Sequence, residues 1–435
     1  MARVVVIGGG LGGLASAARL AKLGHAVELV EASDQLGGAL TAAVVSGGFR
    51  WGPSTTLLPA VLRDLFRKTG RPLEREIELV PLEVIREHHF PDGSTVRLPG
   101  GSRAAQLRAV EELGTGLGER WLRHVDELGD DWELVRRDYL ERPWDVTSGP
   151  PALRRRLATR RSMHARLREL GDPRLRALAA YPLVEAGQDP RRVPAWMAIW
   201  PFVEQRFGGW RVAGGFPALA DALVARLQTR RVGVHLSTTA TDIVVRNGRA
   251  AAVATSAGLL DADVVVCAVD PGRLPALSSY VARTRPVDPA HLVHLGLAEA
   301  SELAEAATGV TVWHGDPMVS LGQGLAAASG QAAVTIELRG GNVADPLALL
   351  AERGLELRDR VLTRIEVTPG EQRERWSGSP WGVRWQGRET VRHRLGPRTP
   401  ITGVYCAGAH ATPGAGVPFV GLSAALVAQV VGPAD

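Results

Sequence analysis

Three glycines and one acid near the start of the chain carry the strongest chemical signal. Gly8, Gly10 and Gly13 are spaced G-x-G-x-x-G, and Glu31 follows further along. Glycines at this spacing admit a pyrophosphate to the backbone, and a carboxylate at the end of the next strand accepts hydrogen bonds from a ribose hydroxyl. That chemistry is dinucleotide binding, and it demands particular elements. Arg3 to Ile7 is a Val-rich apolar run, too brief for a helix, so a buried parallel strand is expected. Gly8 makes the tight turn out of it, Gly10 lets the pyrophosphate approach, and Gly13 lets the helix lie close to the sheet. The helix is expected from Leu11 to Leu23, with Leu14, Ala18, Leu20 and Leu23 on its buried side and Gly24 stopping it. A second strand, Ala26 to Val30, delivers Glu31. The helix N-terminus offers free N–H groups and partial positive charge to the phosphates. A glycine-rich helix entry with no ligand would leave the terminal acid unexplained.

Further segments carry a family resemblance. The doublet Gly37-Gly38, in EASDQLGGAL, resembles the flavoprotein extension of the motif in the superfamily of amine oxidases and carotenoid desaturases. That implies FAD rather than NAD. Ala39 stands where an Arg often follows the doublet. Gly52-Pro53-Ser54-Thr55 resembles the G-P-T segment that runs beside the flavin in phytoene-desaturase-like proteins, with Trp51 in the neighbourhood of a usual Asp. Residues 171–219, including YPLVEAG and WPFVEQRFGGW, are similar to that family in order and spacing. The closing GAHATPGAG, residues 408–416, resembles the carotenoid-desaturase ending G-A-S-T-H-P-G-A-G, with His410 where Ser is usual and Thr412 where His is usual.

By these segments the chain is identified as a member of the phytoene-desaturase-like branch of FAD-dependent oxidoreductases. The implied fold class is α/β: a Rossmann-type FAD-binding domain in three chain segments, 1–60, 206–272 and 390–435, with an inserted α+β substrate domain, 61–205 and 273–389. The resemblance assigns cofactor contacts to Gly8, Gly10, Leu11, Gly12, Gly13, Glu31, Ala32, Gly37, Gly38, Ala39, Pro53, Ser54, Thr55, Ala240, Gly408, Ala409, Gly416 and Val417. By the resemblance, the loop before Ile243 reaches the adenine, which puts Ala240 or Thr241 there. The closing loop meets the ribityl chain, and the helix after it points N–H groups at the isoalloxazine edge. His410 is the one catalytic candidate, because its loop should approach the cofactor; a hydrogen-bonding residue that shapes the loop is the plainer alternative.

The implied reaction is removal of two hydrogens across a C–C bond, hydride passing to flavin N5, from an apolar isoprenoid or carotenoid-like small molecule. A flavin amine oxidase of a natural-product pathway competes. Many of those carry a lysine near N5, whereas Lys22 and Lys68 are the only lysines here and neither is expected to reach that point. Another flavin dehydrogenase or isomerase is a third reading. A non-catalytic lipid-binding protein on the same fold, like the GDP-dissociation inhibitors, is opposed by the intact phosphate loop and Glu31.

Composition sets the frame. With 435 residues there is room for two or three domains, and 45% hydrophobic content is ordinary for a soluble enzyme. The net charge of +5 is carried by arginine. Cys267 and Cys406 lie in apolar runs, VVVCAV and GVYCAG, which predicts free buried thiols, no metal site and a cytoplasmic setting. No cleaved signal peptide and no membrane span are expected. Arg154-Arg155-Arg156 and Arg160-Arg161 form a basic cluster, read either as a solvated helix face or as a peripheral contact with anionic lipid. Nucleic acid is not expected, since no aromatics are interleaved with the charges. His88 and His89 fall on a hairpin turning at Asp92-Gly93 and should face opposite ways. Strands are expected at Ala43 to Ser46, Leu292 to Ala298, Val310 to Trp313 and Ala333 to Leu338, with a helix from Pro346 to Leu362.

Overall fold

The computed structural model describes the chain except residues 42–44, 145–148, 301–302, 304–307, 326–327, 342, 377 and 435. Five parallel strands form one sheet in the order Gly233–His235, Ala26–Val30, Arg3–Ile7, Val264–Cys267, Val404–Cys406. They come from three separate stretches of chain. Both faces of this sheet are covered, which is why Val4, Val5 and Val6 are at most 1% exposed and read as a continuous apolar run. The helix Leu11–Lys22 packs on one face and shares a core with the closing helix Val417–Val431. The segment 59–77 joins the same core through Leu62, Leu65, Phe66, Leu73 and Ile77. Packing with the first sheet therefore continues past residue 60.

The second sheet has seven strands in the order Val361–Val367, His291–Leu297, Ala332–Arg339, Met318–Gln323, Thr308–Trp313, Val84–His89, Thr95–Pro99. All neighbours are antiparallel except Thr308–Trp313 with Val84–His89. Alternation gives the sheet two characters. Val293, Leu295, Val319, Val334 and Ile336 face an apolar core that includes Leu347 and Leu350 of the helix Pro346–Glu352. The other face lines the cavity described below.

Two expectations need correction or restriction, and one strand was not expected. The helix from Pro346 ends at Glu352 rather than Leu362, because Gly354 adopts φ +92 and stops it. Residues 361–367 instead form an edge strand of alternating half-exposed positions, whose Thr363, Arg364 and Glu366 concealed the apolar alternation. The strand at Met318–Gln323 escaped the sequence reading because a serine and a glycine interrupt it. The strand expected from Ala43 is seen only at Val45–Ser46; Ala43 lies outside the described residues.

Trp51 is 0% exposed. Its Nε1 donates to the Leu295 carbonyl at 2.8 Å, so it ties the first segment to the second sheet. In the basic cluster, Arg156 pairs with buried Asp131, which Arg166 outside the cluster also contacts, and Arg161 pairs with Glu169. At least two of its five arginines are thus paired within the protein. Among the described residues no helix is long and apolar enough to cross a membrane.

Candidate functional site

The first strand delivers the chain into Gly8, which has φ +99. A Cβ there would sit 2.6 Å from Val269 Cγ1, and one on Gly13 would overlap the Gly8 carbonyl oxygen. Packing within the protein accounts for both glycines. Gly12 is held the same way, 2.7 Å from Gly408 Cα, so the glycine turn and the closing loop touch. Gly10 is different. Its added Cβ would meet nothing nearer than Gly38 Cα at 3.9 Å, and its φ of −73 suits any residue. Nothing in the polypeptide demands glycine there, which fits a bound group that must approach the backbone.

The rest of the cradle closes on this turn. Gly37 N donates to the Gly9 carbonyl at 2.8 Å. Glu31 accepts from Gly9 N at 2.6 Å and from Ser33 N and Oγ at 2.9 Å. A carboxylate offers about four acceptor positions, so capacity remains for a ribose hydroxyl. Thr238 N donates to the Glu31 carbonyl at 2.9 Å, which brings Ala240 to the same end of the sheet. Ala32 follows Glu31 on the exposed rim.

A cavity of about 500 Å³ adjoins the turn. Leu11, Ala39, Pro53, Ser54, Thr55, Gly416 and Val417 of the expected set line it. Gly408 and Ala409 lie behind this wall; Gly408 N accepts no role in the cavity but donates to Ser423 Oγ at 2.8 Å. Aromatic side chains form much of the wall: Trp200, Phe216, Trp376, Trp381, Trp385 and Phe419. The tryptophans at 376, 381 and 385 were missed by the sequence reading, although their crowding in ERWSGSPWGVRW was the available signal.

His410 lies outside the cavity wall. Its Nε2 lies 3.8 Å from Asp270 Oδ2, and burial pushes its pKa down against the opposing pull of Asp270. The backbone places it there: Gly408 turns with φ +93, and the Ala409 carbonyl packs closely on Gly382. Buried Arg394 lines the cavity instead. Its Nη1 donates to the Pro413 carbonyl at 2.8 Å and its guanidinium lies 4.7 Å from the Trp385 ring centre. Neither Lys22 nor Lys68 is on the wall.

The sheet side of the cavity is polar. Arg86, Val310, Gly322, Thr335 and His294 form one cross-strand row, and Ser320, Glu337 and Leu292 another. Arg86 pairs with Glu204, with side chains 7% and 2% exposed. Its guanidinium lies 5.0 Å from the Tyr181 ring centre, and Tyr181 OH bonds Ser320 Oγ at 3.1 Å. Burial raises Glu185, while Arg86 pulls it down. Burial likewise holds Glu337 up at about 7. Tyr181, Glu185 and Glu204 fall within segments that carry the family resemblance and Arg86, Ser320 and Glu337 outside them; residue order does not show them as a group, because they converge from distant parts of the chain.

Several imidazoles are buried neutral. Burial, aided by Arg166, holds His124 at about 4. Burial with Arg375 does the same for His294, and burial with Arg86 and His89 for His314. Unfolded histidine titrates near about 6.5, so the unfolded state binds more protons between about 4 and 6.5, and stability rises with pH there. Glu337 and Glu185, both raised by burial, oppose this: their contribution is present below the unfolded glutamate value and is lost as pH rises, for Glu337 through about 7. The three histidines outnumber them. The urea midpoint should fall as the solution is taken from about pH 7 to about pH 5, at up to about 1.4 kcal/mol per pH unit for each histidine. A flat midpoint would contradict neutral burial.

Comparison with known proteins agrees with this geometry. The family described as flavin containing amine oxidoreductase matches residues 11–312. A 4,4'-diapolycopene oxygenase of Methylomonas sp is 31% identical over 273 residues, 61% of this chain and 55% of that protein. A neurosporene-forming phytoene desaturase of Cereibacter sphaeroides is 31% identical over 277 residues, 62% of this chain and 53% of that one. The matches thus span about half the length of these curated relatives. Among solved structures, an oxidoreductase from Methanosarcina mazei has TM-score 0.67 at 19% identity, covering 98% of this chain and 100% of that one. Putrescine oxidase bound to putrescine has TM-score 0.73 at 17% identity, covering 99% and 98%. At these identities the likeness is one of fold.

Proposed function

The chain belongs to the flavin containing amine oxidoreductase family, and from that premise we propose that it is an FAD-dependent oxidoreductase removing hydride from an apolar, isoprenoid-like small molecule. The observation that carries this reading is the continuity of the glycine cradle with a tryptophan-walled cavity. Residues that would hold the cofactor are Gly8 to Gly13 against its diphosphate, Glu31 at a ribose, and Gly37 to Ala39, Pro53 to Thr55, Gly416 and Val417 towards the flavin. FAD, when bound, supplies the two-electron acceptor. The polypeptide binds and orients the substrate and excludes water. Trp200, Trp376, Trp381 and Trp385 give it large, stiff apolar contact area. Gly416 precedes the first turn of the closing helix, whose free N–H groups favour negative charge nearby. The curated relatives named for desaturation and oxygenation of carotenoids favour the isoprenoid class.

The test is anaerobic. Flavin-loaded protein is mixed in turn with phytoene-like hydrocarbons, with isoprenoid alcohols and with simple amines, and the flavin absorption band is followed. Bleaching by an isoprenoid is expected. Bleaching by simple amines alone would replace this reading with amine oxidation.

A further inference from the structure

The sheet wall of the cavity is not what a pure hydrocarbon requires. Burying a charged group without a partner is costly, yet Glu204, Glu185 and Glu337 meet only Arg86 and Arg339 among the charged groups of their network. Three carboxyls face two guanidiniums. Glu204 is 2% exposed, lines the cavity, and gives its Oε2 to Arg86. Its Oε1 has no hydrogen-bond partner among the described residues. An orphaned buried acceptor costs about 1–3 kcal/mol, more when charged, unless a bound molecule satisfies it.

Resting on the oxidoreductase reading above, we propose that the substrate is amphipathic, with an apolar body among the tryptophans and a hydrogen-bond-donating end group, hydroxyl or ammonium, seated on Glu204 Oε1. Ser320 and Thr335 add hydroxyl groups to the same cavity wall.

The experiment compares binding of n-octane, n-octanol and n-octylamine to the flavin-loaded protein by calorimetry and by perturbation of the flavin spectrum, without turnover. The alcohol or the amine should bind at least tenfold tighter than octane. In the double variant Arg86→Met/Glu204→Leu, which replaces the ion pair with apolar volume, that advantage should fall below threefold. Equal binding of all three probes by the native protein, or an advantage unchanged in the double variant, would overturn the proposal. Because binding is read apart from flavin bleaching, failure here leaves the redox reading standing, and failure to bleach leaves this binding result interpretable.

Discussion

Gly10→Ala is expected to give a folded protein that has lost its flavin. The added methyl meets no protein atom closer than 3.9 Å, and the backbone there is ordinary for alanine, so stability of the flavin-free protein should change by less than about 0.5 kcal/mol. The same methyl projects into the space that fits a diphosphate. FAD affinity should fall roughly 100-fold, about 2.8 kcal/mol at 1.4 kcal/mol per factor of ten. Flavin content after purification and the thermal shift on adding FAD measure both quantities. Gly13→Ala is the contrast: its methyl overlaps the Gly8 carbonyl, a backbone atom that cannot rotate away. It should lower stability by about 3 kcal/mol with or without cofactor. A Gly10→Ala protein that keeps its full flavin complement would remove the diphosphate from the glycine turn.

The second large effect concerns Arg86. Its pair with Glu204 is among the most buried in the molecule, and Glu185 also leans on its charge. Arg86→Met leaves those carboxylates in a low-dielectric pocket with their cation gone. Breaking one side of such a pair costs about 3–5 kcal/mol, and denaturant midpoints should register it. Arg86→Met/Glu204→Leu should recover most of that loss, since an apolar pair of similar volume avoids the desolvation of both ions. Equal destabilisation by the single and double variants would mean that packing, rather than charge, is what Arg86 supplies.

The glycine turn and its flanking elements were legible from residue order because their contacts are local. A strand, a glycine turn, a helix and a second strand follow one another within residues 3–38, so spacing alone places Gly8, Gly10, Gly13 and Glu31. Resemblance extended this to Pro53 to Thr55 and to Gly416 and Val417, which do reach the cavity wall. His410, in the same matching segment, is not on that wall; its Nε2 lies 3.8 Å from Asp270 Oδ2, a contact between parts of the chain far apart in sequence.

What this sequence determined by itself was the strand, glycine turn, helix and second strand at its start and the α/β class, because turn chemistry and strand periodicity are properties of neighbouring residues. What only the tertiary structure decided was the substrate side. Arg86, Glu204, Ser320 and Glu337 become one polar wall only after strand register and a helix bring together positions far apart along the chain. Each of them, read alone, is an ordinary polar residue in an apolar run. Their meaning arises from shared burial, where a low dielectric couples charges that would ignore one another in water.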